Sequence, residues 1–284
     1  MNKRLKQLES KSIYLIRETA AKFKNPAVLW STGKDSTVCL HLIRKALFKI
    51  TLPVIHIDTG RKFKEIYEFR DKIAKQWNLD LMIIQSKKIN EVSPEKNRFE
   101  CCHELKTKTL QKAIHDHKFD AIIVSIRRDE QEIRNKERYM SPRDSEFKWK
   151  ISKTNEGGDS GLEALQDTEL SGWDIYATDF SGADHVRIHP LLHWTEKEVW
   201  EYVKQEKLPF NPLYRADYVK KVYGLKNRRF RSLGCKPCTT PIESKASTID
   251  EIVHELEKAK EEERAGRAQD KEKIMERLRS LGYM

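Results

Sequence analysis

No apolar run in the 284 residues is long enough to span a bilayer, and 35% of the residues are charged, so a membrane-spanning chain is not expected. A secretory leader is missing too. The opening stretch MNKRLKQLESKSIYLIRETAAKF reads as an amphipathic helix with charges throughout. The expected location is the cytoplasm. In that reducing compartment the five cysteines read as thiols or metal ligands rather than a disulfide framework. Acidic charge is in deficit: 44 Asp+Glu face 55 Lys+Arg, a formal net charge of +11. The excess suits a polyanionic partner such as nucleic acid or many phosphates, although a basic enzyme has the same balance.

A Walker A motif is absent as well. In Pro26–Ser36, PAVLWSTGKDS, Asp35 follows Lys34 and no glycine stands five residues before Gly33. What is there still has phosphate-loop logic. Ala27–Trp30 suits a buried strand, Ser31–Ser36 a tight turn of small residues, and Thr37–Phe48 a helix with Val38, Leu42 and Ala46 on one face. Loop N–H groups and the positive helix end then converge on an anion. Gly33 lets the backbone approach and Lys34 adds a point charge. Asp35 inside such a loop repels phosphate unless Mg2+ bridges the two, so the loop predicts a Mg-nucleotide. A plain βα turn rich in small residues is the alternative. Ser31, Thr32, Gly33, Lys34, Asp35 and Ser36 resemble the S-G-G-x-D-S pyrophosphate loop of the N-type ATP pyrophosphatases, with Thr32 where that pattern has its first Gly. This resemblance implies cleavage of ATP between the α- and β-phosphates.

Along the chain, helices are expected over Leu5–Phe23, Phe63–Trp77 and Lys106–His117, and strands over Leu52–Gly60, Leu81–Gln85, Ala121–Ser125 and Val186–Leu191. Thr195 and Glu198 read as a capping box opening a helix to Gln205. Strands alternating with helices argue for a doubly wound parallel α/β sheet. The polar tip Asp58-Thr59-Gly60 lies where such sheets bind ligands. The α/β domain is expected over residues 1–240, with a polar surface insertion at about 150–183, and a charged helical C-terminal extension over 241–284. Val219–Arg231 is a basic stripe with Tyr218, Tyr223 and Phe230 interleaved. The tail stretch KAKEEERAGRAQDKEK reads as a solvated helix face.

Taken together, STGKDS, HIDTG with RKFKEIYEFRD, RRDEQEIRNKERYMSPRD, HPLLHWTEKEVWEYV, NPLY, RFRSLGC and ERAGRAQDKE…LGYM resemble the small catalytic subunit of bacterial sulfate adenylyltransferase. More broadly they resemble the phosphoadenosine-phosphosulfate reductase family. The resemblance implies an adenine nucleotide alpha hydrolase-like fold, with ATP and Mg2+ bound by Ser31–Ser36 and adenosine flanked by Asp58, Thr59 and Gly60. Arg127 and Arg128 match arginines that face the phosphates or an oxyanion. Chemistry supports that role independently, because paired guanidiniums after a core strand are costly to bury without an anion. A surface pair bridged to Asp129 and Glu130 is the alternative.

Cys39 reads as a small core residue. Cys101-Cys102 and Cys235-Lys236-Pro237-Cys238 supply four thiolates, enough for one tetrahedral or cubane site. Adjacent cysteines are unusual for structural zinc, and free or redox-active thiols remain open. The pattern resembles the 4Fe–4S ligand set of assimilatory adenylyl-sulfate reductases. Those enzymes also use a C-terminal cysteine, whereas no cysteine follows Cys238 here, so a reductase is disfavoured.

The ATP pyrophosphatases of bacterial DNA phosphorothioation systems combine the loop with a cluster. By that resemblance the expected function is adenylylation of an oxygen acceptor for sulfur transfer, in DNA phosphorothioation or nucleic-acid thiolation. A cysteine desulfurase is the implied sulfur donor, and Lys34, Asp35, Arg127 and Arg128 the implied catalytic set. The alternative is sulfate activation to adenylyl sulfate beside a GTPase subunit.

Overall fold

Apolar residues at helical spacing bury one face of the first helix, α1 (Lys3–Lys22), through Leu5, Leu8, Leu15 and Ile16. The Asn2 side chain caps its start by accepting the Leu5 N–H at 2.8 Å. The computed structural model describes residues 2–131, 134, 137–148, 180, 182–259, 263, 278 and 281. After α1 come β1 (Pro26–Leu29), α2 (Lys34–Leu47), β2 (Val54–Asp58), α3 (Lys64–Gln76) and β3 (Leu81–Gln85). Then α4 (Arg98–Cys102), a π-helical turn (His103–Thr107) and α5 (Lys108–His117) lead into β4 (Ala121–Ile123). β5 (Met140–Arg143), β6 (His185–Ile188), α6 (Glu196–Gln205) and α7 (Ala216–Tyr223) follow. A two-stranded ribbon of β7 (Arg228–Arg229) and β8 (Ile242–Glu243) precedes α8 (Ile249–Lys258).

The main sheet runs β3-β2-β1-β4-β6-β5. Parallel pairs Val28↔Val54, Ile55↔Met82, Ala27↔Ile122 and Ile123↔Ile188 set its register. Side chains alternate across it as the pleat requires. Val28 and Trp30 join the core with α1, α2 and α6, while Ala27 and Leu29 face Leu110 and Ile114 of α5. Both faces are therefore covered, which is why β1 reads as a continuous apolar run rather than an alternating one. The chain winds outward from β1 to β3 and then returns to the other side of β1 with β4. Open α/β sheets bind ligands at such a reversal, beyond the carboxyl ends of the strands.

The doubly wound α/β fold stands, with two local departures. β5 pairs antiparallel with β6, Met140↔Ile188 and Arg143↔His185, so the sheet is mixed at this edge. Its sequence, MSPR, has no apolar run to announce a strand, and its Pro142 is tolerated at a sheet edge. The helix expected from Lys106 instead begins at Arg98, where Asn97 accepts the Glu100 N–H at 3.1 Å, and it reaches α5 through the π turn. Ile252 of α8 packs into the main core. The insertion at 150–183 lies outside the described residues except Phe180, Gly182 and Ala183, as does most of the tail stretch after Ala259. Among the described residues no helix is long and apolar enough to cross a membrane.

The capping box forms at α6: the Thr195 hydroxyl accepts the Glu198 N–H at 3.2 Å, and the Glu198 carboxylate accepts the Thr195 N–H at 2.8 Å. Thr195→Ala is expected to cost about 1 kcal/mol, read as a lower urea midpoint with unchanged slope.

Candidate nucleotide site and cysteine cavity

The loop after β1 turns at Thr32, whose φ of 68° puts a β-branched residue in the left-handed region. That conformation explains why the pyrophosphate-loop pattern has glycine there. Ser31 and Ser36 hydroxyls meet at 3.1 Å across the turn. Gly33, the N-cap of α2, has no side chain with which to cap it, and it lines the pocket at the helix N-terminus. A Cβ on Gly33 would meet Ser31 Oγ and Tyr214 Oη at 3.5 Å, ordinary contact, so packing alone does not require glycine here. Tyr214, from the NPLY turn, accepts the Lys34 N–H at 3.1 Å.

Lys34 and Arg127 are both fully buried and meet in one ion-pair network. Lys34 Nζ lies 3.1 Å from Asp35, 2.5 Å from Glu263 and 3.9 Å from Glu196. Arg127 lies 2.8 Å from Asp35 and 3.2 Å from Asp129, and it also binds Glu263. Burial by itself would lower the pKa of Lys34, but Asp35, Glu263 and Glu196 carry it well above its ordinary value. Arg127 is raised by Asp35 and Glu263 in the same way against its burial. Burial opposes the charge on Glu263, yet Lys34 and Arg127 hold its carboxyl down at about 2. Burial, opposed by their cationic neighbours, leaves Asp129 and Glu196 raised. Carboxylate oxygens of Asp35, Glu130 and Glu263 lie within 4.8 Å of one another. Glu130 binds Arg134.

These groups border a pocket of about 200 Å³ at the sheet's reversal, lined by Ser31, Gly33, Asp35, Thr59, Lys62 and Glu263 among others. Of the second-strand tip, Thr59 faces this pocket. Asp58 accepts the Gly60 N–H at 2.8 Å and the Tyr67 hydroxyl at 3.0 Å, so it shapes the turn. Gly60 has a φ of +65°, and a Cβ there would stand 2.4 Å from Ile89 Cδ1. Half-buried Lys62 donates to His56 Nε2 at 2.8 Å and to the Ile57 carbonyl at 2.7 Å. Burial, against Cys235 and Asp58, lowers its pKa to about 8.

The expected arginine pair divides. Arg127 enters the network, while Arg128 turns to the Glu137 carbonyl (2.9 Å) and His193 (3.2 Å), away from the pocket. The backbone changes between the two, since Arg127 is extended and Arg128 opens a 3-10 turn, so their side chains leave in different directions. The tail is also corrected: Glu263, expected in solvent, is buried on two cations. Charge periodicity reports a polar face but not a distant partner.

Half of the basic stripe is structural. Tyr223 and Tyr218 donate to Glu65 at 2.9 and 3.4 Å, and Phe230 packs on Phe63 with centroids 4.9 Å apart. Arg229 pairs with Glu255 at 3.2 Å and Arg231 with Glu196 at 2.9 Å. Lys220, Lys221, Lys226 and Arg228 remain exposed.

Cys101 and Cys102 on α4 meet Cys235 and Cys238 around a second, smaller cavity. Thr59, Lys106 and Cys235 line both cavities, which therefore adjoin. Thr59 Oγ1 lies 3.1 Å from Cys235 Sγ. Burial raises the Cys101 thiol to about 11 and raises Cys238 as well. Among the described residues no three of these sulfurs lie within 4.8 Å of one another, whereas four around one zinc stand about 3.8 Å apart. The set is more open than a single zinc ion needs. Cys39 is buried in the core, where burial pushes its thiol up to about 12.

The family described as phosphoadenosine phosphosulfate reductase domain matches residues 25–241. The chain is 36% identical to sulfate adenylyltransferase subunit 2 of Acinetobacter baumannii (strain AYE), covering 98% of this chain and 96% of that protein. It is 38% identical to the Shewanella loihica subunit 2, covering 98% and 97%. Among solved structures, Candida glabrata FMN adenylyltransferase is similar with a TM-score of 0.55 at 18% identity, covering 84% of this chain and 64% of that one. Candida auris phosphoadenylyl-sulfate reductase has a TM-score of 0.50 at 17% identity, covering 84% and 98%. At these identities the two structures bear on fold alone.

Arg127→Met removes one of the two buried cations that Asp35 and Glu263 share, leaving Lys34 alone between them, and is expected to cost about 3–5 kcal/mol. Arg128→Met, which loses a carbonyl contact at the rim, is expected to cost about 1 kcal/mol. Paired urea melts of the two variants check the division.

Proposed function

The chain belongs to the phosphoadenosine phosphosulfate reductase domain family, and from that premise we propose that it is an ATP-dependent adenylyltransferase, joining AMP to an oxyanion and releasing pyrophosphate. The observation that carries this reading is the convergence of the β1–α2 loop on one pocket at the sheet's reversal, where Ser31, Gly33 and Asp35 form the wall and Lys34 and Arg127 stand directly behind it, paired to Asp35. The loop and the start of α2 receive the β- and γ-phosphates. An oxygen of the acceptor attacks the α-phosphorus, the bond from that phosphorus to the β-phosphate oxygen breaks, and pyrophosphate leaves. Lys34 and Arg127 stabilise the charge that gathers on the leaving group. Asp35, with Glu130 beside it, offers the hard oxygen donors that suit Mg2+ and would hold it; the bound ion offsets phosphate charge. Sulfate is the acceptor that the relatives' names support, and a GTPase subunit is the corresponding partner.

The four buried cysteines beside this pocket favour a second reading. Cys101, Cys102, Cys235 and Cys238 line one cavity and would hold a 4Fe–4S cluster, which takes four thiolates. Such a cluster supplies iron–sulfur chemistry next to the adenylate. Adenylylation then prepares an oxygen for replacement by sulfur, in DNA phosphorothioation or related nucleic-acid thiolation, with a cysteine desulfurase as donor. Exposed Lys220, Lys221, Lys226 and Arg228 support a polyanion nearby.

The primary test is exchange of labelled pyrophosphate into ATP, with Mg2+ and sulfate, alone and with the GTPase subunit. Sulfate-dependent exchange is expected, with Asp35→Ala lowering it by at least about 100-fold; exchange indifferent to sulfate and to Asp35 counts against the reading. For the second reading, anaerobically purified protein is expected to carry about four iron and four sulfide per chain. Cys238→Ala is expected to lose them while ATP binding persists. Absence of iron and sulfide in the native protein removes this reading.

A further inference from the structure

We infer that Glu263 occupies the anion site while no nucleotide is bound and is exchanged for the polyphosphate when nucleotide enters. The inference rests on the nucleotide reading above for the identity of the entering anion. Its ground is the geometry of one side chain. Glu263 Oε1 sits 2.5 Å from Lys34 Nζ, and its Oε2 binds Arg127. Two oxygens bridging a lysine and an arginine is how a phosphate engages the same pair. The side chain lines the pocket itself and is 3% exposed.

Charge supports displacement over sharing. Around Lys34 and Arg127 stand the carboxylates of Asp35, Asp129, Glu130, Glu196 and Glu263, with Arg231 as a further cation on Glu196 and Arg134 on Glu130. Five acids thus face four bases, and the network is already saturated with negative charge. A triphosphate brings several more charges to the same nitrogens, and like charges this close repel strongly away from water. One acid must give way or be neutralised. Asp35 and Asp129 sit beside Lys34 and Arg127 in sequence and are fixed by the loops that carry those cations. Glu196 is held at the first turn of α6 and pairs with Arg231. Glu263 comes from beyond the end of α8, outside the strands and helices that carry the other acids.

The test compares full-length wild type with Glu263→Gln. Mg–ATP binding is measured by calorimetry, and amide exchange is followed in the peptide containing Glu263. If the carboxylate closes the site about nine-tenths of the time, its removal tightens Mg–ATP binding about 10-fold. In wild type, Mg–ATP is expected to speed exchange in that peptide. Equal or weaker binding by the variant, or slower exchange with Mg–ATP, overturns the inference and makes Glu263 part of the nucleotide-bound site. Should the variant not fold, the wild-type exchange result decides alone. Absence of Mg–ATP binding in both proteins also overturns it. ATP binding without adenylate formation counts against adenylyl transfer alone, because this test reads binding.

Discussion

Two cations removed from water at the carboxyl end of a parallel sheet set the terms for the rest of this molecule. Lys34 and Arg127 are each nearly inaccessible, and an uncompensated buried charge costs several kcal/mol. Acids must therefore surround them, and the fold brings these from separate places: Asp35 from the phosphate loop, Asp129 from the segment after β4, Glu196 from the start of α6 and Glu263 from the tail. The sheet's winding makes this possible. Because β1 and β4 are adjacent while their sequences lie far apart, a loop after one and an arginine after the other reach the same point. The charge network that stabilises this apex is thus the same network a nucleotide's phosphates would reorganise.

Next to it lies a site of different chemistry. The nucleotide pocket and the cysteine cavity share Thr59, Lys106 and Cys235 as a wall. Hard oxygen donors gather on one side, while soft thiols, raised by burial at Cys101 and Cys238, gather on the other. Half-buried Lys62 stands at the boundary, donating to His56 and the Ile57 carbonyl while its strand-like backbone bridges to Cys235. Only a few side chains separate the two cavities. Sulfate activation needs only the first cavity, whereas sulfur transfer gives both a purpose.

Much of this was legible in the sequence because it is local. Apolar runs and helical periodicity report burial within one element, so β1, α2, β2 and α3 were visible within a few residues of their ends. The capping box at Thr195 and Glu198 was visible because both partners lie within one turn. The phosphate loop and the need of Asp35 for a counter-ion could be read from six adjacent residues. Composition and spacing also drew the four cysteines together as one candidate set.

The tertiary structure decided what depends on direction and distance. It separated Arg127 from Arg128, because the chain passes from extended at Arg127 into a 3-10 turn at Arg128. It turned Tyr218, Tyr223 and Phe230 inward onto Glu65 and Phe63, partners more than a hundred residues away. It built an antiparallel edge strand from MSPR, whose pairing with β6 supplies the order that its own residues do not signal. It carried Glu263 out of a charged stretch and into the anion site, 229 residues from Lys34. Sequence alone thus determined the α/β scaffold and the tight loop between β1 and α2, since these arise from short-range periodicity and turn chemistry. Only the folded chain decided which charges meet, because the sign of a charge is local but its partner is set by the path of the backbone.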